Sequence, residues 1–162
     1  VVEEMNKKFD AASAELDAYI RSLNQQYAGA DIHCSLDFRC PLSSYKYITT
    51  QYGQGGHKGV DLAAPQGTPI YAAADGVVTV AAYHYSYGNY VSIYHGSADD
   101  GNTYATLYAH MSQAPSVSTN QQVKKGDLIG YVGNTGYSFG NHLHLELRVN
   151  GNRTNPLSYI PH

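Results

Sequence analysis

Residues 1–27 carry apolar side chains at alternating steps of three and four. These positions are Val2, Met5, Phe9, Ala12, Leu16, Tyr19 and Leu23, and charged residues occupy many positions between them. The heptad spacing predicts one helix, which Gly29 would end. Because an isolated helix with an apolar seam is marginal in water, the seam must pack against something. We expect the end of a longer coiled coil that positions the next domain or mediates dimerisation; docking on its own domain is the alternative.

From Tyr45 onward the pattern changes to short strands separated by turns. We predict strands at residues 47–50, 59–63, 69–71, 76–85, 90–95, 103–110, 128–132 and 142–149, with a short one after Asn152. Asn150-Gly151 is typical of a two-residue hairpin, and polar residues 112–122 and glycine-rich residues 133–141 are expected as cleft-forming surface loops. The prediction is a mainly β chain: a helical arm at 1–29 and a compact antiparallel β-sheet domain at 30–162.

Composition excludes some functions. The formal net charge of the 162 residues is −3 with no basic run, so the chain lacks the electrostatic footprint of a nucleic-acid or anionic-membrane binder. No stretch reaches the roughly 18 apolar residues that a membrane span needs. The chain starts at Val1 rather than methionine, and we expect a fragment or a processed product.

Tyrosine is unusually abundant, with 16 copies against no tryptophan. Tyrosine suits the half-buried faces of sheets, which is the simpler explanation. The alternative is a polar-aromatic wall that stacks on sugar or peptide. Tyr83, Tyr85 and Tyr87 alternate along a predicted strand and would share one face of it.

Two distant segments contain the side chains of a hydrolytic metal site. They are Gly56-His57-Lys58-Gly59-Val60-Asp61 and His142-Leu143-His144. Residues at even separations on an extended segment point to one face, so His57 would align with Asp61, and His142 with His144. Zn²⁺ accepts imidazole nitrogen and carboxylate oxygen, and a catalytic site typically uses three protein ligands. Four candidates exceed three, so at least one has another role.

Further motifs accompany these two segments. They are Cys40-Pro41-Leu42, Tyr47-Ile48-Thr49, Tyr52-Gly53, Tyr108-Ala109-His110-Met111 and the run from Gly136 to Glu146. Together the motifs resemble the lysostaphin-type (LytM-like) zinc metallopeptidases, which cut peptidoglycan cross-bridges and stem peptides. The resemblance covers roughly residues 38–157, in family order and spacing. It implies that His57, Asp61 and His144 bind Zn²⁺ and that His110 and His142 are the catalytic pair.

The other titratable residues are assigned more simply. The glutamate base of His-Glu-x-x-His peptidases is absent, so His110 and His142 are the available proton-handling groups, in an order that the sequence does not assign. Glu146 shares a strand face with His142 and His144, and either orients an imidazole or is an ordinary strand carboxylate. His33, His84, His95 and His162 are expected to be ordinary hydrogen-bonded or solvent-facing side chains.

Cys34 and Cys40 are the only cysteines. Free thiols are the default in a cytosolic protein, but for the extracellular enzyme that the resemblance implies we expect a small-loop disulfide. Zinc binding together with His33 is the weaker alternative, since a gap of five residues matches no common zinc spacing.

These features predict a zinc endopeptidase that hydrolyses peptide bonds of bacterial peptidoglycan, outside the cell or in the cell envelope. One alternative is a catalytically silent activator of the same fold, which acts on a separate cell-wall hydrolase through the helical arm. Another is a wall-binding module with an aromatic groove. The complete set of ligands and catalytic histidines favours the enzyme. Its expected partners are peptidoglycan peptide and, through the arm, a second copy or another protein.

Overall fold

The computed structural model describes residues 2–162, with side chains from residue 4 onward. It begins with helix α1, Val2–Gln25, as the heptad pattern predicts. The absence of glycine and proline from this segment suits an uninterrupted helix. The side chain of Val2, the first predicted seam position, lies outside the described residues.

Helix α1 packs on its own chain. Its apolar side chains lie against an apolar patch of the following domain, formed by Val80, Tyr87, Tyr90, Leu107 and Ala109. Burial of Phe9 and Ile20, which are 3% and 0% exposed, contributes about 1.5–3 kcal/mol each. The buried stripe runs through Ile20, whereas the predicted seam residue Tyr19 is 49% exposed. The docked alternative is therefore the one observed; continuation into a coiled coil and dimerisation stay predictions.

Ten strands follow the helix. They are β1 (Tyr47–Thr50), β2 (Val60–Ala63), β3 (Pro69–Tyr71), β4 (Gly76–His84), β5 (Gly88–Ser97), β6 (Thr103–Met111), β7 (Gln122–Val123), β8 (Leu128–Tyr131), β9 (His142–Val149) and β10 (Asn152–Thr154). Eight of them form an antiparallel sheet in the order β1-β2-β9-β6-β5-β4-β7, with β10 beside β9, and β3 pairs with β8. Short 3₁₀ helices lie at Gln54–Gly56 and Pro156–Ser158. The predicted mainly β, antiparallel class is confirmed.

Strand boundaries lie within two residues of those predicted, but β7 was missed. Its two residues fall at the end of a stretch predicted as a surface loop, and they are too few to show a period-two pattern. Among the described residues, no helix combines the length and apolarity that crossing a bilayer requires.

The two faces of β9 serve different purposes. Leu143, Leu145 and Leu147 point into the main hydrophobic core and are fully buried. The alternate residues point to the opposite face. Their neighbours on β6 are residues of the α1-bound patch, because Ala109 pairs with His144 and Leu107 pairs with Glu146. We call this side of the sheet, which carries His144, Glu146 and Arg148 and lies under α1, the site face.

Tyr83, Tyr85 and Tyr87 do not form the polar-aromatic wall that was the alternative explanation for the abundant tyrosine. β4 ends at His84 and the chain turns before β5, so alternation stops before Tyr87. Tyr83 and Tyr85 are 63% and 52% exposed, whereas Tyr87 is completely buried. The three rings therefore share no common face.

The expected disulfide is also absent, because Cys34 and Cys40 are both free thiols. Hydrogen bonds attach the two ends of this linker to different places. The amide of Cys34 donates to the carbonyl of Ser97 at 2.9 Å, and the amide of Arg39 donates to the carbonyl of Ala73 at 2.8 Å. Each cysteine is thus positioned by a different part of the domain.

Candidate metal centre

The pairing of β2 with β9 brings two halves of the site together. Asp61 pairs with His144 in the antiparallel register, and side chains directly opposite each other share a face. His57 reaches them from the turn before β2. Gly53, Gly55 and Gly56 in that turn all have positive φ, a conformation that glycine adopts without strain. The glycines next to the first motif therefore permit the tight turn that returns His57 to Asp61.

One carboxylate oxygen lies between two imidazoles. The Oδ1 atom of Asp61 is 3.2 Å from Nε2 of His57 and 2.8 Å from Nδ1 of His144. One ligand atom from each of the three residues lies within 4.8 Å of the others. All three side chains are buried, with 1–5% exposure.

A second carboxylate contacts the outward nitrogen of each imidazole. Nδ1 of His57 lies 2.9 Å from Oδ1 of Asp10 on α1, and Nε2 of His144 lies 2.9 Å from Oε2 of Glu146. The Tyr87 hydroxyl donates to the same Glu146 oxygen at 2.7 Å. Such carboxylates fix the orientation of a ligand histidine and raise its basicity.

The electrostatics of the centre favour bound cationic charge. Burial lowers the pKa of His57, but hydrogen bonds with Asp10 and Asp61 outweigh it and raise that pKa to about 10. Burial likewise opposes the charged form of His144, yet its bonds with Asp61 and Glu146 raise its pKa. Burial would raise the pKa of Asp61, but hydrogen bonds from His144 and His57 hold it well below its usual value.

Two imidazole nitrogens and one carboxylate oxygen therefore converge in a buried, negatively charged setting. This donor set suits a divalent transition-metal ion, which would take the place of the protons on the two inward nitrogens. His57, Asp61 and His144 are the residues that would hold it.

His110 and His142 lie beside this group. Their ring centroids are 4.9 Å apart, and Nε2 of His142 is 3.7 Å from Oδ1 of Asp61. Nδ1 of His110 donates to the carbonyl of Thr135 at 2.7 Å, and Nδ1 of His142 donates to that of Gly140 at 2.9 Å. Each Nε2 is left available for proton transfer. Burial, with repulsion from neighbouring imidazoles, lowers the pKa of both, so they are neutral at neutral pH.

The backbone at His110 is strained. Its φ is 65°, an uncommon conformation for a non-glycine residue that recurs at functional sites. The amide of His110 donates to the carbonyl of Tyr87 at 2.8 Å, which supports this conformation.

The structure brings together all five predicted site residues and places the other histidines elsewhere. His95 is buried between the carbonyl of Asp75 and the hydroxyl of Thr106, at 2.7 and 2.8 Å. His33 lies 3.7 Å from the exposed Asp99. His84 and His162 bond to near neighbours in sequence, the hydroxyl of Ser86 and the carbonyl of Ile160.

Sequence reasoning missed three residues at the site. In the sequence, Phe9 is one of the apolar seam residues of the helix, and Asp10 resembles a solvent-exposed helix carboxylate. No local signal links either residue to a histidine in the domain. Gly59 carried a signal: it lies inside the His57–Asp61 motif. A Cβ atom on Gly59 would lie 2.6 Å from Cε1 of His144, so only glycine fits there.

An antiparallel sheet with this donor set and two further imidazoles beside it is the arrangement that a metallohydrolase would need. The chain belongs to peptidase family M23, whose profile matches residues 55–156.

The relatives of this chain include two proteins named as endopeptidases and one named as a murein hydrolase activator. The chain is 49% identical over 102 residues to the DD-carboxypeptidase/endopeptidase Mpg of Neisseria meningitidis, covering 63% of the chain and 22% of the relative. It is 44% identical over 130 residues to the peptidoglycan DD-endopeptidase ShyC of Vibrio cholerae, covering 78% and 29%. It is also 38% identical over 129 residues to the murein hydrolase activator NlpD of Salmonella dublin, covering 75% and 32%. The chain thus spans less than a third of these relatives.

Solved structures agree with the family. A zinc-containing peptidase from Vibrio cholerae matches 74% of this chain and 39% of its own, with a TM-score of 0.64 and 34% identity. A protein described as a putative M23 peptidase from Pseudomonas aeruginosa matches 98% of this chain and 63% of its own, with a TM-score of 0.74 and 28% identity. The catalytic domain of lysostaphin from Staphylococcus simulans matches 71% of this chain and 86% of its own. The TM-score is 0.57 and the sequence identity is 30%.

Proposed function

We propose that this chain is a zinc-dependent endopeptidase that hydrolyses peptide bonds of peptidoglycan, outside the cell or in the cell envelope. His57, Asp61 and His144 would hold Zn²⁺, and His110 and His142 would be the catalytic pair. One observation carries the proposal: three ligand atoms within 4.8 Å of one another lie beside the buried imidazole of His110 and the partly exposed imidazole of His142, whose Nδ1 atoms are already bonded to carbonyl groups. The names of the endopeptidase relatives and the zinc-containing structure support the substrate and the metal.

The residues divide the chemistry between them. Bound Zn²⁺ supplies Lewis-acid polarisation of the scissile carbonyl and makes a water acidic enough to attack at neutral pH. The Nε2 atoms of His110 and His142 accept the proton from the attacking water and return it to the leaving amine. The fixed Nδ1–H bonds to Thr135 and Gly140 hold both rings in the tautomer that this transfer needs. Glu146 and Asp10 orient the two ligand imidazoles.

A second candidate is an activator of a separate cell-wall hydrolase. Two observations favour it: the relative NlpD is named as a murein hydrolase activator, and α1 lies over the site face. Against it, the chain has all five residues that a metal centre and its proton-handling pair require.

The test compares this 162-residue chain with its His142→Ala variant. Zinc content is measured by mass spectrometry of the metal, and purified peptidoglycan is digested and analysed for new peptide termini. We expect about one zinc per chain in both proteins, and cleavage by the wild type only. His84→Ala, which changes a histidine outside the centre, should behave as the wild type. Absence of both zinc and peptide-bond cleavage in the wild type would refute the peptidase.

A further inference from the structure

The side chain of Phe9 on α1 lies directly on the imidazoles of the centre. Its ring centroid is 4.6 Å from that of His144, 5.1 Å from that of His110 and 6.1 Å from that of His57. Phe9 is itself only 3% exposed. An apolar ring therefore occupies the space directly over the two ligand histidines and one of the proton-handling pair.

Polar contacts hold the same helix in place. Next to Phe9, Asp10 accepts a hydrogen bond from His57. One turn further, Oγ of Ser13 lies within hydrogen-bond distance of the Tyr87 hydroxyl, at 3.3 Å. Another turn on, the carboxylate of Asp17 lies 2.6 Å from Nη1 of Arg148 and 3.5 Å from Nε of Arg153. The helix is thus attached along the length of the site face.

This arrangement excludes a large substrate. His57, Asp61, His110 and His144 are 1–5% exposed, yet hydrolysis requires the scissile carbonyl of a peptide to reach the centre. Beneath α1, the floor of the site face combines the apolar residues Val80, Leu107 and Ala109 with the buried charges of Glu146 and Arg148. Displacement of α1 would open this face as a groove that leads to the metal ligands.

Some buried polar atoms at the interface between α1 and the sheet make no hydrogen bond. Among the described residues, both amide atoms of Asn24 on α1 are buried without a hydrogen-bond partner, as is Nε of Arg148 beneath it. Buried polar groups without partners disfavour the state that buries them. The docked helix is therefore less stable than its buried apolar area alone implies, which suits an element that leaves and returns.

We propose that α1 is a displaceable cover, which occupies the substrate-binding face and holds the peptidase in a resting state. The substrate part of this inference rests on the proposed function. The covering of the centre by Phe9 and Asp10 does not, because it concerns access to the metal ligands whatever the enzyme acts on.

The experiment uses the full chain loaded with zinc, and two variants that weaken docking in different ways. Asp17→Asn removes the charge opposite Arg148 and Arg153. Ala11→Gly, at an exposed position of α1, weakens the helix without changing a contact with the sheet. Asp31→Asn and Ala28→Gly make the same exchanges at exposed positions outside α1 and serve as matched controls. Circular dichroism checks that every variant is folded.

Two rates are measured for each protein: release of zinc to the chromogenic chelator 4-(2-pyridylazo)resorcinol, and cleavage of purified peptidoglycan. We expect both rates to rise, about tenfold in Asp17→Asn and about fivefold in Ala11→Gly, while both controls match the wild type. Faster zinc release without cleavage in any protein would support the cover and refute the peptidase. Unchanged zinc release and unchanged cleavage in both variants would overturn the cover and leave the peptidase intact.

Discussion

Gly59 leaves no space for a side chain beside His144. A Cβ atom at Gly59 would lie 2.6 Å from Cε1 of His144 and 2.6 Å from the carbonyl oxygen of Leu145. Both distances are far shorter than a carbon atom tolerates, and the second involves backbone that cannot rotate away. The strand pairing that brings Asp61 to His144 therefore depends on glycine at this position.

We predict that Gly59→Ala displaces His144 and lowers zinc affinity at least tenfold, because a ligand that moves from its productive orientation loses much of its bond to the ion. Competition titration against a zinc chelator measures the change. Gly29→Ala is the control, since a Cβ atom there meets nothing within 4 Å. Equal affinities for the two variants would contradict the steric argument.

Glu146 is predicted to act through His144 rather than on substrate. Glu146→Gln keeps the shape of the side chain but loses the charge that faces Nε2 of His144, so zinc affinity should fall about 10–100-fold. Tyr87→Phe removes only the hydroxyl that donates to Glu146, and should give a smaller decrease. The same titration measures both variants. An unchanged dissociation constant in Glu146→Gln would mean that this carboxylate is only structural.

Zinc should stabilise the fold, because the three ligands come together only in the native state. At a free zinc concentration of 100 times the dissociation constant, linkage contributes about 2.7 kcal/mol. The thermal midpoint of the wild type should therefore rise on addition of zinc, while that of His57→Ala should not. Scanning calorimetry with and without zinc makes the comparison. A rise of equal size in both proteins would show that the ion binds elsewhere.

Because His95 is buried, we predict that the free energy of unfolding decreases in acid. Burial lowers its pKa from 6.5 to about 4, so between these values the unfolded chain binds a proton that the folded chain does not. Stability therefore falls as pH drops from about 6.5 towards 4, and this group alone accounts for about 3 kcal/mol. Urea unfolding of the wild type and His95→Gln, at pH 7 and pH 4.5, measures the difference. An equal fall in both proteins would exclude His95 as its source.

Much of the site follows from spacing along the chain. The parity of His142 and His144 on one strand, and of Glu146 after them, needs only the alternation of an extended backbone, and the structure places all three on the site face. The pairing of β2 with β9 could not be derived from spacing. Only the family resemblance implied that Asp61 and His144 meet, because residues 83 positions apart give no local signal of contact.

The surface on which α1 packs could not be predicted from the sequence for the same reason. A heptad pattern shows which side chains share a stripe, but it does not show what surface the stripe covers. Asp10 is therefore indistinguishable in sequence from a solvated carboxylate. Tyr87 was misplaced because the alternation of Tyr83 and Tyr85 was continued past the predicted strand end at 85, whereas β4 ends at His84 and period-two reasoning fails as soon as the chain turns.

The alternation of β9 also restricts how this gene segment can evolve. Deletion or insertion of a single residue within His142–Val149 would move every later side chain of the strand to the opposite face of the sheet. Leucines would then face the metal ligands, and charged side chains would enter the hydrophobic core. This strand can therefore tolerate single substitutions, but it cannot tolerate a change in its length. Natural variation among homologous sequences should therefore include replacements along β9 but place its gaps in the loops on either side.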